Sequence, residues 1–390
     1  MKYKLKDIFD LQMGKTPSRN NSEYWNSEDY KWISIADLSK TGKYISDTKE
    51  YLSESAVEES GIKVIPANTV VMSFKLSIGK TAITAENMYS NEAIMAFHDK
   101  HVVDVLPEYI FYMFKYRNWD EGSNKAVMGK TLNKATLSEV EIEICPIEEQ
   151  REIVNILDKM MFILNGRENE LSLLDNLIKA RFVELFGDPI SNSFGLNTKS
   201  MTDICEIIDG DRGKNYPTTD DFSDDGYCLF LNAKNVTSDG FNFENCMYIT
   251  EEKDAALRKG RLKRGDVVLT TRGTIGNLAF YTNEIPFEHV RINSGMVILR
   301  MKQEVADEVY FIEHFKMQLA DIKAKIASGS AQPQLPISTM NKIQILIPEI
   351  EQQREFAAFV KQTDKSKVAV QKALEETQVL FDSLMQKYFG

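Results

Sequence analysis

The chain has 390 residues, with 58 Asp and Glu against 47 Lys and Arg, giving a formal net charge of −11. That balance speaks against a general polyanion binder, because non-specific phosphate affinity needs Lys and Arg, and it leaves room only for local basic surfaces. The length suits two or three domains, each with its own core. The start, MKYKLKDIFDLQMG, is charged throughout, so neither a signal peptide nor a membrane span is expected. Cys145, Cys205, Cys228 and Cys246 are scattered, without C-x-x-C spacing, and point to a reduced, cytoplasmic setting.

In chain order, short β-rich runs predict strands starting at Trp32, Thr69, Ile94 and Glu141, and again at Cys228, Asp266, Met296 and Lys342. Tyr and Phe at three-to-four spacing predict helices over Glu108 to Tyr116 and Glu308 to Met317, where such spacing marks a core face. The two sets follow one order because the chain is written twice. PIEEQRE from Pro146 and PEIEQQRE from Pro348 open two segments that end at Leu185-Phe186-Gly187 and Tyr388-Phe389-Gly390. Between Arg151 and Gly187, and between Arg354 and Gly390, these align without a gap at an offset of 203 residues. Upstream, VVMSFKLSIGK from Val70 matches VVLTTRGTIGN from Val267 in the same order. A period this long means a duplicated domain-plus-helix unit rather than a solenoid.

The first helical segment places Ile153, Leu157, Met160, Leu164, Leu171, Leu174, Ile178 and Leu185 on the alternating steps of a coiled-coil seam. The second offers Phe356, Val360, Val370, Leu374, Phe381 and Leu384, interrupted by Thr363, Lys367 and Thr377. Proline just before each helix and glutamates in the first turn suit the helix N-terminus, and Gly187-Asp188-Pro189 is a stop signal. The expected fold is α+β: two mixed α/β domains alternating with two long helices packed as an antiparallel coiled coil, with pseudo-twofold duplication. The expected divisions are 1–145, 146–195, 196–347 and 348–390. Helices of this length would form a rod of roughly 55 Å.

Catalytic chemistry is missing from the sequence. Three Gly-Lys-Thr triplets, at Gly14, Gly79 and Gly129, lack the glycine five residues earlier that a phosphate loop needs; Phe9, Phe74 and Asn124 stand there. No N/D-P-P-Y/F methyltransferase tetrapeptide or nuclease-type acidic cluster is found. His98, His101, His289 and His314 lack accompanying ligands at zinc-like spacing, so no metal site is expected.

Several loops instead combine glycine, hydroxyl and basic residues, as approach to a phosphate backbone requires. Lys75, with Lys80 in the same loop, corresponds to Arg272. Lys15 and Arg19 lie near the start of one half, Arg212 and Lys214 near the start of the other. A later loop offers Lys125, Lys130 and Lys134, and its counterpart Gln332 and Gln334. Arg and Lys favour guanine edges, Gln and Asn adenine edges, so the two halves could read different bases. For any one of these residues a solvated surface charge is the plainer reading; the argument rests on the correlated set.

With its duplicated order, PIEEQRE and PEIEQQRE helix starts, LFGDP end and the turns at Ser77-Ile78-Gly79-Lys80 and Thr274-Ile275-Gly276-Asn277, the chain resembles the specificity subunits of Type I restriction-modification systems. The resemblance implies a non-catalytic subunit whose two target recognition domains each read half of a split site on double-stranded DNA, with the helices setting the gap. It implies two modification (methyltransferase) subunits that use S-adenosylmethionine on adenine, and restriction subunits that use ATP and Mg; this chain would bind no cofactor itself. The helices are the expected docking place for the modification subunits, and the expected destination of the negative charge. A duplicated coiled-coil adaptor that binds only proteins is the alternative.

Overall fold

The computed structural model describes residues 1–119, 132–327 and 334–390. Two compact units emerge: Met1–Glu168 with Lys372–Gly390, and Asn169–Gln371. Compactness thus divides the chain inside the long helices, because each stretch of helix buries its apolar side in the unit that it belongs to.

In the first unit, a five-stranded sheet runs in the order Phe9–Met13, Ile94–Asp99, Val70–Ser73, Thr81–Thr84, Tyr44–Ile45. The central strands read as continuous apolar runs because both faces are covered. Side chains alternate between the faces: Val70, Met72, Ile83, Met95 and Phe97 join the large core beneath the helix Pro107–Tyr116. Val71, Ala82, Ile94 and Ala96 join a second core on the other side. A three-stranded sheet, Glu50–Leu52, Tyr30–Ile33, Tyr89–Ser90, and the pair Lys2–Lys4 with Glu141–Glu143 complete the unit.

The second unit repeats this plan. Its four-stranded sheet is ordered Cys205–Asp209, Met296–Met301, Val267–Thr270, Leu278–Phe280, and its three-stranded sheet Tyr248–Ile249, Cys228–Leu231, Val290–Ile292. Thr198–Ser200 pairs with Gln344–Leu346, as Lys2–Lys4 pairs with Glu141–Glu143. Val267 and Leu269 face one core, Val268 the other. Even the mixed pairing recurs: in each three-stranded sheet the middle strand is antiparallel to one neighbour and parallel to the other. The eight strands expected from composition all form, whereas the helix expected to end at Met317 continues as Glu308–Ala327. All four cysteines are free thiols, and burial pushes those of Cys205 and Cys228 up to about 12, which leaves them inert.

The long helices span Ile147–Phe186 and Ile350–Phe389. Within each unit they run antiparallel. In the first, Tyr112 contacts both Asp158 and Phe381, while Tyr109 contacts Glu143 and Phe389. In the second, Phe186 meets Phe356 and Asp175 meets Lys367. Ile153, Leu157, Leu164 and Ile178 are buried, and so are Phe356, Val360 and Phe381, while Met160, Leu171, Leu174, Val370, Leu374 and Leu384 are half-buried. Leu185 corrects the expected seam: it is exposed, and Phe182 and Phe186 are buried instead. A helix of 3.6 residues per turn drifts against a 3.5-residue repeat, so after several heptads the buried stripe moves by a position. The polar interruptions are satisfied. The hydroxyls of Thr363 and Thr377 donate to the carbonyls of Phe359 and Ala373, four residues back. For Lys367, burial opposes the charge, but Asp175 at 2.6 Å and Asp364 at 3.1 Å outweigh it and hold the ammonium above its ordinary value. The first long helix stops where expected, with Gly187 left-handed (φ 75°) and its amide bonded to the Val183 carbonyl.

One side chain fastens each long helix to its domain. Gln150 is fully buried; its Oε1 accepts from the Leu106 amide at 2.9 Å, and its Nε2 donates to the carbonyls of Asp104 and Cys145, both at 2.9 Å. Gln353 does the same with the Asp307 amide (3.0 Å) and the carbonyls of Val305 (3.1 Å) and Pro348 (2.9 Å). Gln150→Ala or Gln353→Ala removes the side-chain partner of three backbone groups that are part-buried or buried. Each variant is expected to lose roughly 2 kcal/mol or more, read as a lowered thermal midpoint of the full chain; an unchanged midpoint contradicts the clamp.

Candidate nucleic-acid interface

The loop between Val70–Ser73 and Thr81–Thr84 and the loop between Val267–Thr270 and Leu278–Phe280 share one conformation, bond for bond. In the first, the Ser73 hydroxyl donates to the Ser77 carbonyl and accepts from the Lys80 amide (3.1 Å), the Ser73 amide donates to the Lys80 carbonyl (2.9 Å), and the Gly79 amide donates to the Ser73 carbonyl (2.9 Å). In the second, Thr270, Thr274, Gly276 and Asn277 repeat every one of these bonds. The hydroxyl residue that ends each strand therefore acts as a buckle across the seven residues after it, and core packing of Phe74 and Ile78 in one loop and Ile275 in the other adds to the hold. Gly79 (φ 87°) and Gly276 (φ 92°) are left-handed and closely approached, by Trp119 Cδ1 at 3.0 Å from an added Cβ in one case and by the Leu319 side chain in the other. A second left-handed position precedes each, filled by Gly273 (φ 71°) in one loop and by Leu76 (φ 64°) in the other. For a bulky side chain that conformation costs on the order of 1 kcal/mol.

These buckled loops carry cations. Arg272 is exposed and its guanidinium has no partner among the described residues. Lys75 likewise forms no ion pair there and lies 5.2 Å over the Phe74 ring. Lys80 is exposed, and its charge, together with burial as the larger cause, keeps the ammonium of Lys115 below the ordinary lysine value. Lys115 lies 5.5 Å over the Phe111 ring. The counterpart of Lys115, Lys316, is instead paired with Glu313 at 2.8 Å. Glu92 moderates the first loop: the Thr16 hydroxyl, then the charges of Lys75 and Arg19, hold its carboxyl below the usual range.

The structure brings Gln334 to Arg272. An isolated antiparallel bridge joins the two residues, and the Leu335 amide donates to the Thr271 carbonyl at 2.9 Å. An amide side chain and a guanidinium, both exposed, thus stand side by side at one end of the four-stranded sheet. Lys125, Lys130 and Gln332 lie outside the described residues; Lys134 is exposed at the start of the helix Lys134–Ser138.

The cations near the start of each half are placed differently. Gly14 and Gly210 are structural counterparts, each pressed against the carbonyl of Asn91 or Asn293, so Lys15 corresponds to Asp211 rather than to a base. Lys15 donates to the Ser60 carbonyl at the end of the helix Glu54–Ser60. Asp211 accepts from the amides of Gly213, Arg258 (2.6 Å) and Lys259 (3.3 Å), and those donors, Gly213 first, lower its carboxyl below the usual value. One position thus ties down the same neighbouring segment with opposite charge. Arg19 is bound bidentately by Glu50 and stacked 3.7 Å over the Trp25 ring, which fixes it inside its own domain. Arg212 bonds Asp209 and the Ser294 carbonyl, both at 3.2 Å; Lys214 is exposed. Arg212, Arg258 and Lys259 border a small cavity of about 220 Å³ with the glycines Gly210 and Gly213.

Two features escaped the sequence reading. Lys115 sits on a helix read only as a core face, and Leu76 is an apolar residue facing Gly273 in the aligned loops, a mismatch that alignment could have flagged. Among the described residues no group of three His, Cys, Asp or Glu side chains is placed to hold a metal ion, and no helix is long and apolar enough to cross a membrane.

The family model for the Type I restriction modification DNA specificity domain matches residues 1–173 and again residues 195–377. The MjaIX Type I restriction enzyme specificity subunit of Methanocaldococcus jannaschii is 25% identical over 98% of this chain and 91% of its own length. The EcoR124I/EcoR124II specificity subunit of Escherichia coli is 30% identical over 39% of each chain. A crystal structure of a Type I restriction-modification S subunit from M. genitalium superposes with a TM-score of 0.58, at 15% identity, over 100% of this chain and 96% of that one, a likeness of fold. With both halves matched and nearly the whole length accounted for, this chain belongs to the Type I restriction modification DNA specificity domain family, whose domain it carries twice.

Proposed function

We propose that this specificity subunit reads a bipartite site on double-stranded DNA, one half with each domain, and that the buckled loops holding Lys75 and Arg272 enter the interface. The observation that carries this reading is the duplicated hydrogen-bond network. Two copies of a stiff loop each offer a cation that the described residues leave without an ion pair, so neither ordering nor the breaking of an internal pair opposes contact with DNA. Arg272 with Gln334 suits adjacent guanine and adenine edges; Lys75, Lys80 and Lys115 suit guanine or phosphate. Lys134, Arg212 and Lys214 are assigned to phosphates. Lys15 and Arg19 are assigned to supporting the loops, since their own domain already uses their donors.

Methylation and cleavage belong to other chains in this reading. Two modification subunits bring S-adenosylmethionine, and restriction subunits bring ATP and Mg, in the cytoplasm where the DNA is. The long helices are the proposed docking surface. In the first unit Phe162, Ile163, Val379 and Leu380 are exposed, and in the second Leu173, Leu177 and Val368, although the seam between the helices is already closed. Apolar side chains left over on a finished helix pair suit a protein partner.

Changing Lys75 and Arg272 together to Ala is expected to weaken DNA binding by the assembled complex roughly tenfold or more and to flatten its salt dependence, with assembly unchanged by size exclusion; an unaltered gel-shift titration counts against the loops. Phe162→Glu with Leu173→Glu is expected to abolish co-purification of the modification subunit while the thermal midpoint of the isolated chain stays within a few degrees. Retained co-purification would place that subunit elsewhere.

A further inference from the structure

Leu76 stands out against every other feature of its loop. It is 85% exposed and left-handed, and among the described residues it joins no apolar cluster that would compensate for that conformation, while its counterpart in the second unit is Gly273, the residue for which the conformation is free. The loop does not need leucine: the Ser73, Ser77, Gly79 and Lys80 bonds that shape it all run through other residues, and the second loop keeps the same shape without a side chain there. The environment is basic, with Lys75 next to it in sequence and Lys80 and Lys115 crowding one another nearby. A strained apolar tip amid cations is poorly suited to a protein partner's apolar surface and well suited to a polyanion that also offers apolar points. Duplex DNA has one such point in its major groove, the 5-methyl group of thymine.

We infer that Leu76 is a specificity-determining residue that makes apolar contact with a thymine methyl group in the half-site read by the first domain, a contact the second domain lacks because Gly273 occupies that position. The inference rests on the DNA-reading role proposed above. It makes stability and recognition move in opposite directions. Leu76→Gly relieves the left-handed strain, so the thermal midpoint holds or rises, yet the methyl contact is lost. A structural role for Leu76 would lower both.

The test uses the complex assembled with its modification subunits, on duplexes whose half-sites are known from methylome sequencing. Each thymine of the first half-site is replaced singly by deoxyuridine, which removes only the methyl group. One replacement is expected to weaken wild-type binding about fourfold, the worth of one buried methyl. Leu76→Gly should show the same loss on unmodified DNA and no further loss on that duplex, and Leu76→Asn, polar but tolerant of the left-handed region, should match it. Three outcomes overturn the inference: a half-site without thymine, no sensitive thymine, or Leu76→Gly binding as the wild type does. If Arg272→Ala still weakens binding in any of these cases, the loops read DNA and Leu76 alone was misassigned. If no loop variant alters affinity, the DNA-reading role of the loops falls with it.

Discussion

A primary amide buried away from water must place all of its hydrogen-bonding groups or destabilise the fold by several kilocalories. Gln150 and Gln353 meet that requirement in only one arrangement: the carbonyl oxygen turned to the amide that opens a domain helix, and the amino group turned to two carbonyls, one before that helix and one before the long helix itself. Two segments distant in sequence, the turn before the domain helix and the start of the long helix, are thereby joined at one point in each unit. The aromatic contacts follow from it. Tyr109 and Tyr310 lie three residues beyond the clamped amides, and each bonds a carbonyl of the last strand (Glu143 at 3.4 Å, Leu346 at 2.9 Å) while packing on Phe389 or Phe186. Burial raises the Tyr310 hydroxyl far above its ordinary range, so it stays a neutral donor.

The same corner shows how one plan tolerates different residues. His314 in the second unit occupies the place of Met113 in the first. Its Nε2 accepts from the Leu346 amide at 3.0 Å, and burial lowers its value to about 4, so the neutral ring, protonated on Nδ1, behaves as a fixed acceptor rather than a switch. Met113 needs no such bond. Likewise Arg300 is held by Asp266 through two bonds of 2.8 Å, whereas its counterpart His98 has an unbonded Nε2 and is pushed below its usual value by burial. The duplication is therefore one of backbone geometry and of the clamps that set it, with side-chain chemistry free to diverge elsewhere.

Much of this was legible in the residues. Gapless alignment of the helical segments gave their pairing, and apolar runs such as VVMSF and VVLTT gave the central strands, since only a strand covered on both faces dispenses with alternation. The role of the glutamine in EEQRE and EQQRE was not legible, because a polar residue in the first turn of an acidic helix looks solvent-facing until the preceding loop folds over it. Leu185 misled for a different reason: a heptad template extended over 40 residues overrides the natural helical drift, and Phe182 and Phe186 lie one position away. At the loops, spacing singled out Lys75, Arg272 and Arg19 alike, and only the fold sets Arg19 apart, since its guanidinium is already used by Glu50 and Trp25.

The net charge of −11 also resolves once its location is known. The long helices are not its seat, contrary to expectation: Ile147–Phe186 has eight acids against five bases, and Ile350–Phe389 six against six. Residues 20–61 carry nine acids against four bases, and residues 218–256 nine against two, so these two matched stretches hold −5 and −7 and leave the rest of the chain at +1. Both stretches contribute two strands to the three-stranded sheet of their unit, while the buckled loops spring from the larger sheet. Exposed charges separated by more than about 8 Å are largely screened at physiological salt, so what a phosphate meets is set by its immediate neighbours. Net acidity concentrated in these two stretches can discourage indiscriminate binding, while the loops carrying Lys75 and Arg272 remain locally basic.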